Sequence, residues 1–196
     1  FDLGAEKFFD IKCRAAGLDP DLVVLVATLR ALKMHGHKAL DHLDEPDPDA
    51  VEAGLPNLEK HIENVRHFGK EPVVALNRFA GDQDEEIEVV RACCEKIGAR
   101  FAVSDHYARG GEGAEDLARA VIEAGATEST PWSPLYDLED SVPDKILKVA
   151  QTVYGARDVE YTKKAEKDLQ EIEHLGYAEL PICIAKAPSS LSDDPT

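Results

Sequence analysis

Pro72–Asn77 (PVVALN) runs straight into Arg78–Asp82 (RFAGD). A short run rich in Val, Ala and Leu, without polar alternation, reads as a strand buried on both faces of a parallel sheet. The residues after it, polar and aromatic around a glycine, are the kind a small ligand can use. Working outward, three more runs share the pattern. Leu22–Thr28 (LVVLVAT) continues into Leu29–Gly36 (LRALKMHG), and Arg100–Ser104 (RFAVS) into Asp105–Gly113 (DHYARGGEG). Pro181–Lys186 (PICIAK) continues into Ala187–Pro195 (APSSLSDDP). In an open α/β sheet, ligands bind beyond the carboxyl ends of the strands, so these continuations are where a site is expected.

Helical patterns separate the runs. Gly4–Ala16 carries Phe8, Ile11 and Cys13 or Ala15 as an apolar stripe and stops at Gly17. Asn57–Phe68 places Leu58, Ile62, Val65 and Phe68 at helical spacing behind Asn57 as N-cap. Asp82 with Glu85 predicts a capping box for a helix over Asp84–Ile97. Further helices are predicted over Gly113–Ala124, Val142–Tyr154 and Thr162–Leu175, and Thr127–Leu138 reads as irregular. The polar stretch His35 to Pro56, with the acidic cluster Asp44–Asp49, is too long for an idle connection. It reads as a surface excursion or an oligomer contact. From Ser189 the chain reads as an unpacked terminus. The order αβαβαβααβ implies right-handed crossovers and a parallel sheet with helices on both faces. This is a three-layer α/β arrangement of the P-loop NTPase-like or Rossmann-like kind, present as a partial fold. An α/β domain is expected over residues 1–125. A helical segment with a further strand, the start of the next domain, is expected over 126–196.

Composition narrows the function. The chain has 196 residues, 43% of them hydrophobic, and can bury an ordinary core. Its net charge of −17 argues against nucleic-acid binding and against docking on anionic membranes. The acidity fits either a solvated surface in a high-salt cytoplasm or ordinary acidic solubility. No apolar run approaches the ~20 residues of a bilayer span, and no secretory signal is present, so a cytoplasmic protein is expected. The chain starts Phe-Asp-Leu-Gly rather than with Met, which reads as a fragment or excised domain. Cys13, Cys93, Cys94 and Cys183 have no metal-ligand spacing and read as buried reduced thiols.

Several residues carry candidate chemistry. Gly110, Gly111 and Gly113 lie between a strand and a helix, where backbone N–H groups can approach an anion; an ordinary flexible turn is the other reading. The chain holds no G-x-x-x-x-G-K-[ST] segment. Phe79 and Tyr107 follow neighbouring strand ends and can sandwich a flat heteroaromatic ring. His35, His37 and His42 read as solvated loop histidines, and no metal site is assigned. Ser104-Asp105-His106 is contiguous and does not read as a catalytic triad. Asp193 and Asp194 read as a cation or substrate contact or as a solvated acidic end.

Asp2–Arg14 (DLGAEKFFDIKCR), Val26–Gly36 (VATLRALKMHG), Asn57–Asn64 (NLEKHIEN), Val73–Phe79 (VVALNRF), His106–Ala114 (HYARGGEGA), Ile182–Lys186 (ICIAK) and Ser190–Pro195 (SLSDDP) occur in this order. Together they resemble the formate–tetrahydrofolate ligase family, over nearly the whole chain but only the middle to later part of that longer enzyme. The resemblance implies an ATP-dependent ligase in which formate and ATP form formyl phosphate and N10 of tetrahydrofolate then attacks it. It also implies Mg²⁺, an activating monovalent cation and a homotetramer of the complete enzyme. The family's P-loop lies in an N-terminal region outside this chain. By resemblance, Phe79 lines the folate pocket, and Ala80 stands where relatives often carry Pro. Val103 is an apolar pocket position, and Tyr107 replaces a Trp that stacks on the folate. His37 replaces the second Gly of an H-G-G pattern, and Ala187-Pro188 alters another stretch. A basic group among Arg30, Lys33, Arg109 and Lys186 is expected to hold the glutamate tail. Catalytic residues are not assigned. Two other readings remain: a catalytically inert truncated fragment with a structural or binding role, and an unrelated α/β enzyme whose Gly110–Gly113 loop binds phosphate.

Overall fold

A computed structural model describes residues 4–127, 130–185 and 191. Lys186, Ala187-Pro188, Asp193 and Asp194 and the stretch from Ser189 to 190 therefore lie outside the described residues. The described residues divide into two units, one within Pro20–Pro131 and another joining residues 4–19 to residues 132–185 and 191.

The first unit is a three-stranded parallel sheet in the order β1 (Val23–Ala27), β2 (Pro72–Asn77), β3 (Arg100–Ser104). Its register pairs Val26 with Ala75 and Asn77 with Ser104. The fold is the α/β class expected, with helices on both faces. Val74 and Leu76 of β2 point into one layer with Leu58, Ile62 and Val90 from α3 (Pro48–His67) and α4 (Asp84–Lys96). Ala75 and Asn77 point the other way, toward Leu117 of α6 (Glu115–Gly125). That second layer stops short of β1. Leu25 and Ala27 pack inward, but Val26 is 56% exposed. The expectation that every run is buried on both faces is thus corrected for β1, which alternates.

Between β1 and β2 the expected excursion over 35–56 is in large part helix. α2 (Leu29–His35) follows β1, capped by the Thr28 hydroxyl, which accepts the Ala31 N–H at 3.1 Å. After a short turn, α3 begins nine residues ahead of Asn57, at Pro48. Asp47 is its N-cap, accepting the Ala50 N–H at 2.9 Å, and Pro48 supplies the preset φ of a first helical turn. Pro56 sits inside α3 on its exposed side, where the carbonyl it leaves unpaired can meet water. The cap of α4 is shifted by one residue from the expectation: the Gln83 N–H donates to Glu86 Oε2 at 3.2 Å, and Asp82 turns to the Phe79 N–H instead.

In the second unit, the helix expected over Gly4–Ala16 is wound as a π-helix over Lys7–Cys13 and as an α-helix over Arg14–Ala16, together α1. Phe9 lies 5.8 Å from the Trp132 ring, and Asp10 Oδ1 accepts the Leu135 N–H at 3.1 Å. Tyr136, Val149 and Val153 form the core beside α7 (Val142–Tyr154), and α8 (Lys163–His174) follows. The strand expected over Pro181–Lys186 is corrected: residues 181–185 form no strand. Side chains satisfy the backbone there and just before it. The Ile182 N–H donates to the Tyr136 hydroxyl at 2.8 Å, and Lys145 Nζ donates to the Ala178 and Leu180 carbonyls. Cys13, Cys93 and Cys94 are buried as expected, whereas Cys183 is exposed. Burial pushes the Cys93 thiol up to about 12 and Cys94 up to about 11, which keeps both inert.

Candidate functional site

The carboxyl ends of three adjacent parallel strands bring three segments to one edge of the sheet. β1 leads through Thr28 into the first turn of α2 and Arg30. β2 leads into Phe79. β3 leads into α5 (His106–Arg109), which carries Tyr107. The Arg78 N–H donates to the Ser104 carbonyl at 3.0 Å and extends the β2–β3 pairing to the residue before Phe79.

The turn after β2 is fixed on both sides. Asp82 Oδ2 accepts the Phe79 N–H at 2.9 Å, and the Asp82 N–H returns to the Phe79 carbonyl at 3.0 Å. Burial pushes the Asp82 carboxyl above its ordinary range, against the lowering effect of the Phe79 N–H and of Lys33. Phe79 remains 37% exposed, and the Arg30 guanidinium stands 4.8 Å from its ring centroid. Arg30 is in turn paired with Asp44 at 2.6 Å.

Beneath this turn lies a buried ion pair that the sequence reading did not find. Lys33 Nζ meets Glu86 Oε1 at 3.0 Å, both side chains almost wholly buried. Lys33 also donates to the Glu45 carbonyl at 3.0 Å, and Glu86 Oε1 accepts the Asp47 N–H at 2.9 Å. Glu86 Oε2 accepts the Gln83 N–H, so each polar atom of the pair has a partner, which is the condition for such a pair to persist in a core. Lys33 is consequently not available as a free basic group.

The expected site residues are distributed unequally. Phe79 and Tyr107 share the strand-end edge, Tyr107 being 93% exposed. Ala80 is exposed in the turn beside Phe79. Val103 is partly buried and packs against the core layer that holds Leu76 and Val90. Gly110 has a φ of +59° and a ψ of −137°, a conformation open essentially to glycine alone. At Gly113 a Cβ would stand 2.2 Å from the Asp105 carbonyl oxygen, while its own carbonyl accepts the Asp105 N–H at 2.8 Å. Gly113 is therefore required by a turn that closes on itself; Gly111 has open space around it.

A cleft of about 320 Å³ opens on the α6 side of the same edge, lined by Val26, Ala75, Asn77, Ser104, His106 and Leu117. Ser104 Oγ and His106 Nδ1 are 2.9 Å apart. The contact is made across the bend at Asp105, whose φ of −109° and ψ of 34° end the strand before α5 begins, so strand alternation does not announce it. The surface this cleft offers is almost wholly apolar, with Ser104 buried and its hydroxyl engaged by the His106 imidazole.

The sequence model of the formate–tetrahydrofolate ligase family matches residues 1–196. The chain is 50% identical over 197 residues to the formate–tetrahydrofolate ligase of Phocaeicola vulgatus and 49% identical to that of Parabacteroides distasonis. In each case 99% of this chain is covered, and it spans 35% of the relative's length. No helix among the described residues is long and apolar enough to cross a membrane.

Proposed function

This chain belongs to the formate–tetrahydrofolate ligase family, and from that premise we propose that it forms the folate-pocket side of an ATP-dependent ligase making 10-formyltetrahydrofolate. Formate and ATP give formyl phosphate, and N10 of tetrahydrofolate takes the formyl group as phosphate leaves. ATP, Mg²⁺ and a monovalent cation belong to this reading, as does a homotetramer of the complete enzyme. The nucleotide chemistry is assigned outside these 196 residues, because they contain no P-loop motif.

The observation that carries the reading is the placement of Phe79 and Tyr107 beyond the ends of adjacent, paired strands. A pterin is flat and aromatic, and two rings on neighbouring βα loops suit its two faces. Ala80 and Val103 supply apolar contact at the rim. Tyr offers less stacking area than Trp, so affinity here responds to ring size.

Calorimetric titration of tetrahydrofolate into the complete protein tests the assignment. Tyr107→Ala is expected to weaken binding roughly five- to tenfold, the worth of one aromatic stack. Tyr107→Trp is expected to equal or exceed the parent. An unchanged affinity in Tyr107→Ala removes that ring from the pocket.

A further inference from the structure

Arg30, Asp44 and Phe79 come from three separate segments and meet at the strand-end edge. We infer that Asp44 and Arg30 form a clamp that positions Phe79, with the guanidinium covering one face of the ring so that a flat ligand is received on the other. The inference rests on the ligase reading above, in which that ligand is tetrahydrofolate. It also gives the acidic stretch after α2 a task.

Strand order supports the layering. Arg30 leaves β1, Phe79 leaves β2 and Tyr107 leaves β3, so the cation and the second ring approach Phe79 from neighbouring strands on opposite sides. A guanidinium 4.8 Å from the centroid is within the range of attraction to the ring face. One face is then occupied, while Phe79 as a whole keeps 37% of its surface exposed, which leaves area for stacking.

The clamp is held at both ends by the same buried pair. Lys33 binds the Glu45 carbonyl and Glu86 binds the Asp47 N–H, which fixes the backbone on the far side of Asp44. Glu86 also accepts the Gln83 N–H, and neighbouring Asp82 accepts that of Phe79. An exposed ion pair such as Arg30–Asp44 adds little to stability by itself. Its consequence here is orientation, because both of its supports are anchored in the core. Arg109 offers no comparable arrangement, lying 3.9 Å from Glu112.

The test uses the complete enzyme with Arg30→Ala, Arg30→Lys, Asp44→Asn and the Arg30→Ala/Asp44→Asn double variant. Asp44 is exposed and its replacement nearly isosteric, so that variant reports even where Arg30→Ala folds poorly. Arg30→Ala and Asp44→Asn are each expected to raise the KM for tetrahydrofolate roughly three- to tenfold. The KM values for formate and ATP are expected to stay at the parent level, and the effect to fall on KM more than on kcat. Arg30→Lys recovers part of the loss by keeping a cation. The double variant is expected to match the worse single variant, as coupled residues do. An active parent whose tetrahydrofolate KM is unmoved in the single variants overturns the clamp. So does a double variant whose effect is the product of the singles, or a rise shared equally by all three substrates. A parent protein without formate- and tetrahydrofolate-dependent ADP release overturns the ligase reading itself, and the clamp with it.

Discussion

At the scale of single residues, the most consequential charge outside the candidate site is Asp10. It is buried in α1, accepts the Leu135 N–H, and lies 3.3 Å from Arg14 Nη2. Burial outweighs these favourable contacts and pushes its carboxyl up from 3.8 to about 6. The fold therefore prefers the protonated acid. Its contribution to stability is present in full below about pH 4 and is lost as pH rises to about 6. The loss is on the order of 3 kcal/mol at most. Asp10→Asn keeps an oxygen for the Leu135 N–H and removes the titration. Urea unfolding, followed by the fluorescence of Trp132 beside Phe9, is expected to show the variant gaining on the parent between pH 4 and pH 6. Parallel pH profiles for the two proteins would remove Asp10 as the cause. His37 illustrates a different residue-scale cost. It holds a φ of +66°, a conformation that glycine adopts freely and other residues at a penalty of about 1–2 kcal/mol. His37→Gly is expected to raise the thermal midpoint by a few degrees; a fall would show that the imidazole contributes more than the backbone costs.

At the scale of elements, α2 and α3 touch backbone to backbone. A Cβ on Gly54 would stand 2.0 Å from the Leu32 carbonyl oxygen, and one on Gly36 would stand 1.9 Å from that of Ala50. This approach puts Lys33 within reach of Glu45 and Glu86, so it underlies the turn that carries Phe79. Gly54→Ala gains about 1 kcal/mol of helix propensity. It must also push two helices apart, at a cost at or above the top of the ~1–3 kcal/mol range of overpacking. Net destabilisation is expected in thermal unfolding, whereas Gly125→Ala, whose Cβ would meet only Leu22 Cδ2 at 3.6 Å, is expected to be neutral or better. Equal midpoints for the two variants would mean that the helices separate freely.

The same contacts show which parts of the structure were legible beforehand. β2 and β3, and the position of Phe79 and Tyr107 just past their ends, were readable because period and strand-end position are local signals. Asp47-Pro48 was a readable cap as well, but Pro56 and the surrounding acids masked it. The half-covered face of β1 was not readable, since it depends on how far α6 reaches across the sheet. Nor was the failure of residues 181–185 to pair: an apolar run does not disclose whether a neighbouring strand or a side chain such as the Tyr136 hydroxyl will take its hydrogen bonds. The Lys33–Glu86 pair and the Arg30–Asp44–Phe79 contacts join residues distant in sequence, so no periodicity announces them.

At the scale of the whole molecule, charge sets the dominant expectation. The chain carries a net charge of −17. Exposed ion pairs such as Lys164–Asp168 and Arg119–Glu115 use some of the carboxylates, but 39 acidic residues face only 22 Lys and Arg. Salt acts on both. It weakens exposed pairs, each worth about 0–1 kcal/mol, and it relieves the general repulsion among acids. With a surplus of this size the second effect wins. Raising sodium chloride from about 0.01 M to about 0.15 M shortens the screening length from about 30 Å to about 8 Å. That is enough to quiet repulsion across the surface while sparing the buried Lys33–Glu86 pair. The thermal midpoint is expected to rise over that interval, where screening rather than ion-specific solvation governs. A midpoint that falls would mean that local pairs outweigh the global surplus. Asp44→Asn then discriminates further: its own response to salt reports whether the Arg30 clamp is screened with the surface or held by the core beneath it.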